Sequence, residues 1–137
     1  MCKVISDPVS LHKDLHVYKV CRIVDKKYCS LWPSYTRSKC EVVNGPGHNI
    51  IYEIGRETIA LGKPGICIYT HYGQIEEHIK NWGFPYFHTG DFAILSAMIL
   101  KDTECYMLMD NLEIMSLAAN KIFVKYLFKT LSKEDVS

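Results

Sequence analysis

The longest apolar run in the chain, residues 92–100, is interrupted by Ser96 and reaches only about half of the roughly 20 residues that a helix needs to cross a bilayer. It therefore reads as core, with a buried strand over 93–100, and whatever fold forms must cover it with other apolar elements. A second segment carries the same demand. Residues 66–70 (Ile66, Cys67, Ile68, Tyr69, Thr70) are apolar on both alternations, which predicts a strand covered on both faces in the middle of a sheet. That strand leads into the clearest helix pattern. Over residues 74–82, Ile75, Ile79 and Trp82 fall on one side, Glu76 and Glu77 occupy the first turn, and Gly83 with Pro85 beyond it ends the element. Glu76 and Lys80 add an i,i+4 pair. A helix this short with one greasy side must lie on the sheet.

The flanking segments read mostly as strands. Residues 15–24 are rich in Val, Ile and Tyr; Asp25, Lys26 and Lys27 make a polar turn; and 28–32 returns, closed by Pro33. Residues 34–49, with Arg37, Lys39, Asn44, Gly45, Pro46 and Gly47, read as a long surface loop. Strands at 50–54 and 58–61 are expected to form a second hairpin around Gly55, followed by a turn at Gly62, Pro64 and Gly65. Asp102 and Thr103 turn the chain, so that 104–109 returns antiparallel on 93–100 as a hairpin. The segment 121–131 fits two periods: Ile122, Val124, Tyr126 and Phe128 alternate as a strand, whereas Phe123, Leu127 and Leu131 repeat as a helix. Its β-branched and aromatic content favours a strand over 121–128. The expected fold class is α+β, a mostly antiparallel sheet with one or two short helices packed on it. At 137 residues the chain has the size of one domain. Residues 1–14 are expected to form a flexible arm, 15–131 the single domain and 132–137 a tail.

Charge and cysteine usage narrow the function classes. With 48% hydrophobic and 23% charged residues the composition excludes a disordered chain. A formal net charge of +1 leaves no global field to gather nucleic acid or anionic lipid, so neither DNA nor RNA nor a membrane is expected as a partner. The first residues mix Lys3, Asp7, Pro8, Lys13 and Asp14 with apolar ones, leaving no apolar core for an export signal, and a cytoplasmic location is expected. The six cysteines include no CxxC pair. They are expected to remain thiols in a reducing compartment and to act as small buried hydrophobes, Cys67 most clearly.

No P-loop, dinucleotide fingerprint, nucleophile elbow or HExxH sequence occurs, so the reading leans away from an enzyme, with no catalytic residue, cofactor or metal expected. His12 and His16 stand four apart, but too few further ligands accompany them for a zinc site. The segment 69–73 (Tyr69, Thr70, His71, Tyr72, Gly73) lies where a buried strand meets a helix start, and free amides there can hold a phosphate beside His71 and the flat ring of Tyr72. The plainer reading is that Thr70 or Gly73 caps the helix while Tyr69 is core. Arg22, Arg56 and Lys19 are phosphate-capable residues in ordered segments, with Arg suited to bidentate recognition. Trp32, Trp82, Tyr86, Phe87 and His88 supply flat surfaces, although Trp82 fits the core side of the helix. The candidate ligand-binding set is Arg22, Trp32, Arg56, Thr70, His71, Tyr72 and His88. Lys121, Lys125, Lys129 and Lys133 recur every four residues and would line one side of a helix, where a plain solvated face is the simpler reading.

The order Leu15-His16-Val17-Tyr18-Lys19-Val20, Cys29-Ser30, Tyr52-Glu53-Ile54-Gly55-Arg56, Gly65-Ile66-Cys67-Ile68-Tyr69, a short helix, Ala93-Ile94-Leu95 and Asn120-Lys121-Ile122-Phe123-Val124 resembles a diffuse group of small viral and phage proteins over about residues 15–128. One branch is a large-DNA-virus domain of unknown function found beside pentapeptide repeats. The other is the phage Thoeris anti-defence sponge family, which sequesters cyclic ADP-ribose signals without cleaving them. The resemblance to the sponges implies an immune-evasion protein of the host cytosol, self-associating, with a nucleotide-derived ligand held between subunits by Arg and aromatic residues. The alternatives are a structural or protein-interaction module of a virus, or an enzyme on an ADP-ribose-like or nucleotide substrate with His71 or His88 as general base.

Overall fold

A computed structural model describes residues 3–29, 51–60, 65–82, 92–109 and 115–131. In chain order these form β1 (Lys3–Val4), β2 (Val9–Ser10), β3 (Leu15–Val24), β4 (Lys27–Cys29), β5 (Ile51–Tyr52), β6 (Glu57–Ile59), β7 (Ile66–Ile68), α1 (Tyr72–Trp82), β8 (Phe92–Ile99), β9 (Glu104–Met109), β10 (Met115–Ala119) and β11 (Lys121–Leu131). The class is α+β as expected, mostly antiparallel sheet with one short helix among the described residues. The strands form two sheets. A six-stranded sheet runs β5-β4-β3-β8-β11-β6, and a five-stranded one runs β1-β9-β10-β7, with β2 also on β9.

The chain passes from one sheet to the other at several points. Asn120 separates β10 from β11, so one nearly continuous strand serves both sheets. Residues 100–103, with Asp102 at φ 69, turn the chain between β8 and β9, which pair with different partners. The expected hairpin of 93–100 with 104–109 is therefore a corner, and β9 pairs with β10 instead. The hairpin expected around Gly55 is also absent. β5 pairs with β4 and β6 with β11, at opposite edges of the six-stranded sheet. Residues 53–56 join those edges, and the extended chain from Tyr52 to Glu57 spans at most about 18 Å. A flat sheet of that width would hold its edges about 24 Å apart, so this sheet is strongly curled. Hydrogen bonds from Gly55 N to Val124 O (2.8 Å) and from Val124 N to Arg56 O (3.0 Å) fasten the link to β11.

The β3–β4 hairpin is as expected, its turn made by Asp25 and Lys26 at φ 51 and 64, the backbone of a type I′ turn. Residues 3–10, expected to belong to a flexible arm, pair with β9 through β1 and β2. Ser6 Oγ accepts from Met107 N where the two short strands are interrupted. Segment 121–131 is strand throughout, with irregularities between Val124 and Tyr126 and between Leu127 and Lys129.

The main core lies between the sheets. Val17 and Cys21 of β3, Leu95 and Ala97 of β8, and Ile122 and Val124 of β11 meet Ile66 and Ile68 of β7, Cys105 of β9 and Ala119 of β10. β8 is paired on both sides and buried on both faces except at Met98, as the run 92–100 requires. β7 is wholly buried, as expected, but it ends the path of its sheet instead of occupying the middle. Its outer edge turns to β3, where Tyr18 and Tyr69 exchange backbone bonds of 2.8 and 2.9 Å. Gly65 precedes β7 at φ 122, and a Cβ there would stand 2.3 Å from Ala119 O; only glycine admits this backbone approach. The helix covers part of the other face of the six-stranded sheet, Ile75 packing with Val20, Phe92, Ile94 and Leu131.

Candidate functional site

The strand register divides the six-stranded sheet into an inner and an outer face. Val17, Ala97 and Val124 stand opposite one another and are all in the core. The alternating rows His16, Met98, Phe123 and Tyr18, Ser96, Tyr126 consequently belong to the outer face. The helix covers this face around Ile75 and Val20, and at its start it adds Tyr72 to the sheet aromatics. Tyr18, Tyr72 and Phe128 pack edge on or tilted, with centroids 5.2, 5.3 and 6.1 Å apart, and His16 meets Tyr18 edge on at 4.9 Å. Lys129 Nζ stands 5.8 Å from the centre of the Tyr72 ring, within cation–π range. Phe128 at 42% and Tyr126 at 50% exposure leave apolar ring surface open to solvent. The result is a ring-lined, lysine-flanked surface, the strongest candidate among the described residues.

At the expected anion site the amides of Thr70 and His71 are already taken. The helix begins at Tyr72, two residues earlier than its sequence pattern indicated, so Glu76 and Glu77 fall in the second turn and the first turn has no acidic residue. Gln74 is the third helical residue, and its Oε1 accepts from Thr70 N (3.0 Å), His71 N (3.2 Å) and Thr70 Oγ1 (3.4 Å). This is the reach-back of a capping box, with a side chain satisfying the donors a helix start leaves open. Gln74 thus closes the helix start, and its side chain takes the Thr70 and His71 amides that an anion there would use.

The remaining expected site residues are scattered. Arg22 shares the outer face, opposite Phe92 and Cys29, two rows along from Tyr18. Arg56 lies on the β5–β6 link, its side chain 75% exposed and its Nε 3.3 Å from Glu53 Oε2, a surface pair of small energetic worth. Trp32 and His88 lie outside the described residues. Lys19 is a correction: it points inward, 2% exposed, with Nζ donating to Cys67 O at 2.9 Å and standing 5.6 Å from the centre of the Tyr52 ring. Cys67 lies on the same edge of β7 as Tyr69, so the ammonium joins β3 to the carbonyl edge of β7 between the sheets. It serves the fold and is not available to a surface phosphate.

Two other groupings resemble chemistry and are better explained by packing. His16 Nε2 and Ser96 Oγ are 2.6 Å apart, the contact a nucleophile and its base make. Ser96 is fully buried in the centre of β8, however, where a buried hydroxyl requires a partner and no substrate reaches it. Asp14 does not orient the imidazole, since its Oδ1 accepts from Lys101 N at 2.7 Å. The second grouping is the buried thiols. Burial pushes Cys21 up to about 12 and, aided by Glu104, Cys105 up to about 11; both stay protonated and unreactive at neutral pH. Cys21, Cys29, Cys67 and Cys105 are free and buried, as expected of small apolar residues. Burial also raises the Tyr52 hydroxyl, which has no hydrogen-bond partner among the described residues. Among the described residues no group of three or more His, Cys, Asp or Glu side chains could hold a metal ion, and no helix is long and apolar enough to cross a membrane.

The sequence offers His16 only as half of a zinc pair and Lys129 only as part of a basic stripe, and it gives Tyr18 and Phe128 only as strand residues, so none of the four stands in the expected ligand-binding set. Their signal is the alternation of β3 and β11, which sets these side chains on one face. No family model matches the chain, and no curated protein or solved structure matches it either.

Proposed function

We propose that the chain is a non-catalytic binding protein whose outer aromatic face captures a nucleotide-derived ligand. The observation that carries this reading is the convergence of Tyr18, Tyr72 and Phe128 within 6.1 Å, with Lys129 over the Tyr72 ring and Phe128 open to solvent. Rings of this kind stack on a planar base, and an exposed lysine beside them meets a phosphate as a point charge. Arg22 lies on the same face but two rows from Tyr18, with Val20 and the helix residue Ile75 between, so the cation of the ring cluster is Lys129. Retention without turnover fits the face, because its serine, Ser96, is buried in β8 and already paired with His16. In its finer form the ligand is a signalling molecule sequestered between two copies of the chain, as the resemblance to the sponge family implies.

Thermal denaturation with a panel of adenosine monophosphate, ADP-ribose and cyclic nucleotides tests the reading. A ligand at one hundred times its dissociation constant stabilises by about 2.7 kcal/mol, and Phe128→Ala removes most of that gain. Recovery of the ligand intact after release separates capture from turnover. No stabilisation by any member of the panel sinks the proposal.

A second reading is a protein-interaction module. Tyr126, Leu127 and Phe128 are exposed in succession, an apolar strip of the sort that marks interaction surfaces. Sedimentation separates the two, since a contact surface between copies produces a concentration-dependent mass without nucleotide.

A further inference from the structure

The nucleotide site occupies only one end of a longer pattern. On the outer face β11 presents Lys121, Phe123, Tyr126, Phe128 and Lys129 in order, three rings between two cations, with Lys125 exposed at the irregularity beside Tyr126. Tyr18 and His16 flank this line from β3, in the same rows as Tyr126 and Phe123. At about 3.4 Å per residue the stretch from Lys121 to Lys129 runs about 20–27 Å, the lower figure allowing for the two irregularities. A single nucleotide fills only part of that length.

We infer that the occupant of the whole face is a short single-stranded stretch of nucleic acid, laid along β11 with successive bases on the rings and phosphates at the lysines. The inference rests on the nucleotide-binding reading and names the polymer as its ligand class. The length suits about four nucleotides, the low end of the site sizes known for single-strand-binding folds. The near-neutral net charge, which argues against long-range attraction, leaves this mode intact, because stacking is a contact interaction and the cations are local. Glu57 stands opposite Phe123 on β6 and is exposed, so phosphates meet Lys121, Lys125 and Lys129 and not that border. A second copy of the chain is the other occupant with comparable apolar area.

Calorimetric titration of the full chain with thymidine monophosphate, a thymidine tetranucleotide and a uridine tetranucleotide tests the inference, alongside sedimentation without ligand. At equal salt the tetranucleotides bind at least about tenfold tighter than the monophosphate. Tyr126→Ala and Lys121→Glu each weaken the tetranucleotides by more than they weaken the monophosphate. With three lysines engaged, log affinity falls against log salt with a slope of roughly −2, about 0.7 per phosphate contact. Equal affinity for monomer and tetramer, or a tetramer advantage unaltered in both variants, overturns the inference and leaves the nucleotide site standing. Binding of none of the three overturns the inference, and the adenine-nucleotide panel decides the nucleotide site separately. A dimer that excludes the tetranucleotide assigns the face to a second copy and overturns the inference alone.

Discussion

Replacing Gln74 isolates the element that closes the helix start. Its Oε1 accepts from two backbone amides and one hydroxyl, at 3.0, 3.2 and 3.4 Å. A net hydrogen bond contributes about 1 kcal/mol, but here one oxygen is shared among the donors, and alanine recovers a few tenths of a kcal/mol in helix propensity. Gln74→Ala should therefore cost about 1 kcal/mol, close to the usual worth of a helix cap. For a domain of this size that is a fall of roughly 3–5 °C in the melting temperature. Gln74→Glu should be at least as stable as the parent, because a carboxylate accepts the same donors with charge assistance at the positive end of the helix. Circular-dichroism melts of the three proteins in phosphate-free buffer supply the measurement. Added phosphate should then raise the melting temperature of the alanine variant more than that of the parent, since only the variant leaves the Thr70 and His71 amides open. An alanine variant within 1 °C of the parent, together with a glutamate variant no more stable than the alanine one, would refute the capping argument.

The His16–Ser96 contact predicts an asymmetry. His16→Ala strands a buried hydroxyl and costs about 1–3 kcal/mol, Ser96→Ala costs about 1 kcal/mol, and the double variant matches Ser96→Ala alone; additive losses in denaturant titrations would contradict the pairing. Gly65→Ala brings a Cβ against the Ala119 carbonyl at a φ of 122, so a loss above about 3 kcal/mol is expected from strain and displacement together, and a soluble variant melting within 2 °C of the parent would contradict the close approach. Cys21 rises from 9.0 to about 12 on burial. The folded chain therefore holds a proton that the unfolded chain releases above about pH 9, and this contribution to stability, full below that pH, is lost as pH rises through the window to 12. Melts from pH 8 to 10.5 should show the decline, reduced in Cys21→Ala, and an equal decline in both proteins would count against a buried neutral thiol.

Burial was legible where it is dense. The runs 66–70 and 92–100 declare strands covered on both faces, and Ile75 declares the side of the helix that meets the sheet. Pairing was less legible, because a turn signal gives the place where the chain reverses and not the strand it meets next. Gly55 and Asp102 both mark real turns, yet each joins strands that pair elsewhere, the first across a curled sheet and the second at a corner between the two sheets. Lys19 misled for a related reason: in a row of otherwise apolar inward positions a lysine reads as a surface residue unless the carbonyl that receives it is known. The period ambiguity of 121–131 has a physical source as well, since two irregularities in β11 shift its alternation and mimic a helical repeat. At the helix start one residue, Gln74, was the unread signal, because its side chain takes the Thr70 and His71 amides offered to an anion.

The position of β8 governs how the molecule comes into being. Leu15 pairs with Ile99 and Arg22 with Phe92, so β3 waits for a partner made long after it during synthesis, and β11 follows later still. The amino-terminal half emerging from a ribosome has one β3 border unmatched and the sheet without its middle. Such remote pairings make for slow folding, on the order of milliseconds to seconds, and expose the nascent chain to sticking in the interval. A fragment ending before residue 92 should consequently be insoluble, whatever the completed protein binds.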